Sequence, residues 1–324
     1  MKLVVLGGAG YIGSHFCQLA TENGFDVVIY DDLSTGHVWA AKELPLVVGN
    51  ILDTETLAKT LRSADAACHF AAKSLVAESV ANPDSYFHNN VDGTRSLLKA
   101  MDLAGVSRLI FSSTAATYGI PQSDNVLTEL DSAHPINPYG QSKLDAEVLI
   151  SEWVSRSGGN AIAFRYFNAA GAMPECGLGE AHDPETHLIP NILKSIISDG
   201  GRQFQLFGDD YPTSDGTCVR DYIHVKDIGL AHLAGVSYLT ETKNHFTVCN
   251  LGSAVGYSNL EVIRACEEIS GGSVDYIVSP RREGDPPVLV ASYQKAFDLL
   301  GWQPINSTIE NIVESAYTWH RQNG

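Results

Sequence analysis

The sequence predicts an α/β fold, a doubly wound and mostly parallel sheet with helices on both faces, followed by a smaller mixed α/β unit. Three observations carry this prediction. The apolar run Leu3-Val4-Val5-Leu6 stops at Gly7-Gly8-Ala9-Gly10-Tyr11-Ile12-Gly13 and gives way to a helix-compatible run over 14–22, which is the strand–turn–helix context of a Rossmann-type nucleotide fingerprint. A second apolar run, 27–30, ends in Asp31-Asp32, roughly 20 residues past the loop, where a ribose-binding carboxylate belongs. Strand-like and helix-like periods then alternate up to residue 168, as in successive βαβ units.

Each glycine of the first turn has its own reason. Gly7 turns tightly without a Cβ, Gly10 lets backbone approach a pyrophosphate, and Gly13 lets helix and strand pack closely. The helix N-terminus adds unpaired N–H groups and the positive end of its dipole. Asp31-Asp32 accepts hydrogen bonds from an adenosine ribose and repels a 2′-phosphate, so NAD is expected rather than NADP. Ser34 and Thr35 touch the adenosine or form a plain surface turn.

Strand three is read over 46–51, with Asn50 and Ile51 flanking adenine at its end, and a helix over 54–61. Strand four, 66–72, runs into the small residues Ala71 and Ala72, and His69 reads as a packed core histidine. Residues 83–104 carry one helical period. Asn89 and Asn90 within it are expected where the chain re-enters the sheet edge, offering amides to a pyrophosphate or ribose, or acting as caps. Strand five, 107–113, ends in the hydroxyl-rich stretch Ser112-Ser113-Thr114. A helix over 144–155, opened by Tyr139-Gly140-Gln141-Ser142-Lys143, leads to strand six, 161–168.

Composition changes after Asn168, so the domain boundary is placed there: 1–168 for the nucleotide and 169–324 for the substrate, with a return segment near 219–250. Helices are expected over 187–198, 227–238, 258–269 (capped by Ser258) and 308–320, and strands over 204–207, 219–225, 246–251 and 274–278.

The 324 residues carry a formal net charge of −17, which disfavours nucleic acid and anionic membranes as partners. The six cysteines include no close pair. Neither a disulfide framework nor a metal site is therefore expected, and reduced thiols suit the cytoplasm. No leader or membrane-spanning segment is read.

The chemistry centres on Thr114, Tyr139 and Lys143. Tyr139 and Lys143, four residues apart, share a helical face. A free phenol titrates near 10, and a neighbouring ammonium and an oxidised nicotinamide both favour its phenolate. Such a base removes an alcohol proton while a hydride leaves the same carbon, with Thr114 holding the substrate oxygen. In an ordinary helix the same spacing means only a surface tyrosine and lysine.

The chain resembles the extended short-chain dehydrogenase/reductase family over essentially its full length, and within it the branch that epimerises nucleotide sugars. The similarity runs through GGAGYIGS, DDLSTG, FAA at Phe70–Ala72, Asn89-Asn90, FSSTAATYG, NPYGQSK, RYFNAAG, HLIP, FGDDYPTSDGTCVRDYIHV and PRREGDPP. It implies Tyr139 as catalytic acid/base, Lys143 as its partner and Thr114 at the Ser/Thr position. It implies cofactor contacts by Gly7, Gly10, Tyr11, Ile12, Gly13, Asp31, Asp32, Ser34, Asn50, Ile51, Phe70, Ala71, Ala72, Lys73, Asn89, Ser112, Tyr139, Lys143 and Tyr166. It places Thr114, Tyr139, Phe167, Asn168, His187, Leu188, Gln205, Phe207, Arg220, Tyr222, Arg282, Asp285 and Leu289 near a UDP-sugar, with Tyr166 and Phe167 on one substrate-side loop.

The implied activity is reversible inversion at C4 of UDP-glucose and UDP-galactose through a transient 4-keto sugar, with tightly bound NAD that is not consumed, in a homodimer. The two arginines suit this role as fork-shaped diphosphate donors; Asp221 and Glu283 nearby offer the alternative of surface ion pairs. Leu289 stands at the sugar-pocket gate, where relatives carry an aromatic or a small residue, so UDP-N-acetylhexosamines and UDP-pentoses stay open as substrates. Ala115 and Ala116 after Thr114 remove the acid pair a dehydratase wants. An NAD-binding scaffold without turnover is the non-enzymatic alternative.

Overall fold

Strands buried on both faces must be apolar throughout, because neither side meets water. Leu3, Val4, Val5 and Leu6 are all inaccessible, and they place the first strand in the interior of the sheet, away from its edges. The computed structural model describes residues 1–121, 126–198, 204–282 and 285–323. Its strands are β1 (Lys2–Leu6), β2 (Asp26–Asp31), β3 (Leu46–Val48), β4 (Ala66–His69), β5 (Arg108–Thr114), β6 (Asn160–Tyr166), β7 (Asn168–Ala170), β8 (Phe204–Phe207), β9 (Val219–His224), β10 (Phe246–Leu251), β11 (Gly256–Ser258), β12 (Tyr276–Ser279) and β13 (Val288–Leu289).

The main sheet has seven parallel strands in the order β10-β6-β5-β4-β1-β2-β3. The order reverses between β1 and β4, and the crevice at the carboxyl ends of those strands is where such sheets take ligands. Helices cover both faces. Tyr11–Glu22 and Val225–Glu241 lie on one, with Phe16, Ile228 and Val236 in the core. Thr54–Leu61, Gly93–Ala104 and Pro138–Ser157 lie on the other, with Leu57, Leu97, Met101, Ile150 and Trp153.

The smaller unit is built around β9, which pairs with β7 and β13 in parallel and with β11 antiparallel, while β8 pairs with β12. Helices Leu188–Ile197, Asn259–Ser270 and Ile309–Asn323 enclose its own core of Ile192, Val262, Cys266, Ile312 and Val313. Ser258 caps the second of these in a full capping box with Glu261. Among the described residues no helix is long and apolar enough to cross a membrane.

One expected element is corrected. The 83–104 run is not one α-helix: it reads Pro83–Tyr86, a π-helical segment Phe87–Asp92, then Gly93–Ala104. Asn89 and Asn90 therefore sit inside a widened helical turn and not at the sheet edge. Such insertions survive where a side chain needs the extra reach, and Asn90 uses it. Buried, it donates to the Lys73 carbonyl at 3.0 Å and to Ser142 Oγ at 2.9 Å, and accepts from the Lys73 N–H at 2.9 Å.

Candidate active site

The glycine loop is shaped by its own crowding. Gly7 has φ +75°, and a Cβ there would lie 2.5 Å from the Ala71 nitrogen, so β1 and the Phe70–Ala72 connection touch backbone to backbone. A Cβ on Gly13 would strike the Gly7 carbonyl oxygen, whereas one on Gly10 would meet nothing in the protein closer than 3.4 Å. Gly10 is thus bare towards the outside of the loop, as a cradle for a pyrophosphate requires. Tyr11 donates its hydroxyl to the Gly171 carbonyl at 2.6 Å, tying the first helical turn to the smaller unit, and Ile12 packs on the core.

The acidic pair divides its work. Asp31 is buried and accepts the Ala9 N–H at 2.9 Å and the Leu33 N–H at 2.8 Å, so much of its acceptor capacity shapes the loop. Asp32 is exposed, bonded by the Ser34 N–H at 3.0 Å and by Asn50 at 3.2 Å. The neighbouring Ile51 is buried. Phe70 stacks on His232 at 4.7 Å and so belongs to the core by its side chain.

The proton-handling group lies at the ends of β5 and β6. Asn137 caps the helix that carries Tyr139 and Lys143, accepting the Gly140 N–H at 2.8 Å. Burial raises the Tyr139 pKa, and the Thr114 hydroxyl works against that rise. Lys143 is buried and donates to the Ser112 carbonyl at 2.8 Å. Burial lowers its pKa to about 7, with Glu147 pulling the other way. Its protonated form is the one that favours a nearby phenolate. Ser112 and Tyr166 bond hydroxyl to hydroxyl. Tyr166 is the last residue of β6 and not part of a loop, and its pKa is raised by burial and by the adjacent Tyr139.

Two supports around this group escaped the sequence reading. Glu147, one turn beyond Lys143, accepts from Arg165 at 2.9 and 2.6 Å and from Ser113 at 2.5 Å, fully enclosed. Its i+4 spacing from Lys143 was the available signal. Tyr86 meets the Tyr139 ring edge-on at 6.4 Å and donates to Glu78, which in turn pairs with Lys73 at 3.0 Å. Asn89 donates to the Asn90 side chain at 3.0 Å.

The substrate-side residues fall into two groups. Phe167 packs with Ala115, Tyr118, Leu127, Ala291 and the half-buried Leu289, which pairs in register with Arg220 across β13 and β9. Asn168 opens β7 opposite Tyr222. Arg220 forms an ion pair with Asp285, both largely buried, and donates to the Val219 carbonyl at 2.7 Å. Of the two expected acidic neighbours, Asp221 is not its partner. Asp221 is buried and bonded by Ser253 and the Ala291 N–H, and Glu283 lies outside the described residues. Arg282 covers the Phe207 ring at 4.2 Å; Gln205, two residues back on β8, shares that face of the strand. Tyr222 is buried and packs in the core of the smaller unit.

His187 precedes helix Leu188–Ile197 as its N-cap residue, and its Nδ1 lies 2.5 Å from Glu180 Oε1. The two carboxylates of Glu180 and Glu185 overcome the effect of burial and hold its pKa at about 10.

Comparison with known proteins agrees with this arrangement. Residues 3–252 match the NAD dependent epimerase/dehydratase family. The chain is 47% identical over 325 aligned positions to a UDP-glucose 4-epimerase of Lactobacillus helveticus, covering 99% of this chain and 97% of that protein. Among solved structures, a UDP-glucose 4-epimerase from Brucella ovis in complex with NAD superposes with TM-score 0.93 at 42% identity, over 98% of this chain and 97% of that one. One from Bifidobacterium longum in complex with NAD+ and UDP gives 0.92 at 35%, over 100% and 99%. A bare glycine loop, a capped helix carrying the phenol and its lysine, and a match across most of the chain agree: this protein belongs to the NAD dependent epimerase/dehydratase family.

Proposed function

We propose that the chain interconverts UDP-glucose and UDP-galactose by inversion at C4. The observation that carries this reading is that the half-buried Tyr139, whose pKa responds to the Thr114 hydroxyl, stands one helical turn before the buried Lys143. The glycine loop has the bare cradle that the cofactor's pyrophosphate needs, and the relatives solved with NAD support the same assignment. NAD, which the 1–168 region with the return segment would hold, would supply a reversible hydride acceptor for C4, so that none is consumed.

Tyr139 takes the proton of the sugar 4-hydroxyl and Thr114 steadies that oxygen. The charge on Lys143 lowers the cost of the phenolate. Arg220, Arg282 and Asn168 grip the UDP while the 4-keto sugar turns its other face, and Tyr139 then returns the proton. Residues 169–324 form the UDP-sugar side, where Leu188 and His187 stand at a helix N-terminus.

The exposed Leu103 and Val148, on neighbouring helices against the sheet, support a homodimer. The free thiols, mostly buried, support a cytoplasmic setting. A wider pocket, accepting UDP-N-acetylhexosamines or UDP-pentoses, is the second reading, and Leu289 beside Phe167 is the observation that favours it.

The test is an NMR assay of UDP-galactose, UDP-N-acetylgalactosamine and UDP-pentoses side by side, with no added cofactor. Conversion of UDP-galactose by copurified NAD is expected. A requirement for stoichiometric NADPH, or no turnover of any of them, overturns the reading.

A further inference from the structure

Four side chains of one short loop converge just before helix Leu188–Ile197. Glu180, His182, Glu185 and His187 bring one ligand-type atom each to within 4.8 Å of one another. His182 Nδ1 lies 3.0 Å and His187 Nδ1 2.5 Å from the same oxygen, Glu180 Oε1. Glu185 Oε1 stands 3.9 Å from the first nitrogen and 3.5 Å from the second. Bonds of about 2.0–2.1 Å to a common centre put tetrahedral ligands roughly 3.3 Å apart, so these separations bracket what one small cation needs.

We propose that this loop is a divalent transition-metal site of zinc type, with Glu180, His182 and His187 as ligands and Glu185 at the fourth corner.

The donor chemistry fits. Two imidazole nitrogens and two carboxylate oxygens suit zinc better than calcium or magnesium, which want oxygen alone. The two imidazole rings are 5.1 Å apart and turn the same nitrogen to one carboxylate oxygen, so a single cation would meet both nitrogens and that oxygen together. The carboxylates are deeply enclosed, with side chains 4% and 2% exposed, and Lys194 reaches only the Oε2 atom of Glu185, which leaves the oxygens facing the two imidazoles for a cation.

Outer partners are in place as well. Lys194 holds Glu185 Oε2 at 3.2 Å, and the N–H groups of Thr186 and His187 bond Oε1 at 2.9 and 3.1 Å. These bonds orient Glu185 and make it the weakest of the four donors. All four ligands come from eight consecutive residues, so closing the chelate costs little chain entropy. Tyr11 meets His182 edge-on at 6.1 Å, so a bound ion would brace the glycine-loop helix against the smaller unit.

The test uses the full-length, tag-free protein. After treatment with EDTA and desalting, ZnCl2 is titrated by calorimetry, and metal content is measured by mass spectrometry after re-dialysis. One equivalent per chain is expected, with a melting temperature that rises with zinc. In His182→Ala, whose side chain is part exposed, affinity falls at least about tenfold and the melting response to zinc disappears. Glu180→Gln, checked for folding by circular dichroism, behaves the same way. A wild-type protein that retains no zinc and gives no titration heat identifies a proton-held ion-pair cluster and overturns the proposal. Equal zinc binding by His182→Ala, which points to Cys176 or another thiol, also overturns it.

Discussion

Replacing Glu147 by Gln separates the support of the active site from its chemistry. Glu147 and Arg165 are 4% and 8% exposed by side chain, and the carboxylate takes two guanidinium bonds and one from Ser113. Glutamine keeps one acceptor oxygen but turns an NH2 towards a guanidinium donor and leaves Arg165 charged and enclosed. Breaking a buried pair from one side costs about 3–5 kcal/mol, and the retained oxygen puts the variant at the lower end, about 3 kcal/mol. At about 2 °C per kcal/mol for a chain of this size, the melting temperature falls by roughly 6 °C.

The electrostatic effect is separate. Glu147 raises the Lys143 pKa against burial, which leaves it at about 7. Without Glu147 the lysine loses its proton at lower pH, so the ammonium that favours the Tyr139 phenolate is scarcer at pH 7–8. The Lys143 limb of the pH–rate profile therefore moves towards acid. Differential scanning calorimetry and kcat/KM from pH 5.5 to 9 read the two effects. The double variant Glu147→Gln/Arg165→Met regains much of the stability, because no charge is left unpaired, but keeps the displaced limb. A Glu147→Gln protein that melts with the wild type and shows an unmoved profile refutes the reasoning.

Tyr139→Phe keeps the ring against Tyr86 and removes the acid/base, so kcat should fall by about 10²–10⁴ while UDP affinity by calorimetry stays within twofold; near-normal turnover would remove Tyr139 from the chemistry. Gly13→Ala drives a Cβ into the Gly7 carbonyl, and the nucleotide released by heat and measured by chromatography should fall well below one per chain. Asn90→Ala leaves part-buried Lys73 backbone groups without their partner and should cost about 1–2 kcal/mol in urea unfolding. Leu289→Tyr fills the space beside Phe167 and should depress kcat/KM for UDP-N-acetylgalactosamine relative to UDP-galactose by roughly 10–200-fold; an unchanged ratio would show that residue 289 does not gate the pocket.

The fold class was legible because the central strands are enclosed on both faces and announce themselves as unbroken apolar runs. Thr54–Leu61 and the Ser258 cap were readable for the same local reasons: a clear period and a recognisable stop. Strands β7, β11 and β13 span only two or three residues, too few to show any period. Helices Val38–Ala41, Val76–Ala81 and Gln294–Leu300 are held by tertiary contacts and lack a pattern of their own. The π-helical turn at Asn90 was invisible because its cause, Lys73 and Ser142, lies far away in sequence. The same is true of the site. Spacing reveals that Tyr139 and Lys143 share a face, but the Arg220–Asp285 pair spans 65 residues and forms only when β9 meets the segment before β13. The convergence at Glu180 was missed for a different reason: its pattern, Glu-x-His-x-x-Glu-x-His, matches no familiar chelating motif.

The last strand to join the main sheet, β10, comes from residues 246–251 and pairs all along β6. A gene fragment ending at residue 168 would therefore yield a protein whose outer rim is a naked ladder of amide and carbonyl groups at 160–166, with Ile162 and Phe164 stripped of the helix that shields them. Such a fragment would gather into aggregates before it could capture any nucleotide. The two halves of this enzyme are interlaced in sequence, and its seven-stranded sheet can be completed only by a chain that continues through the smaller unit and comes back.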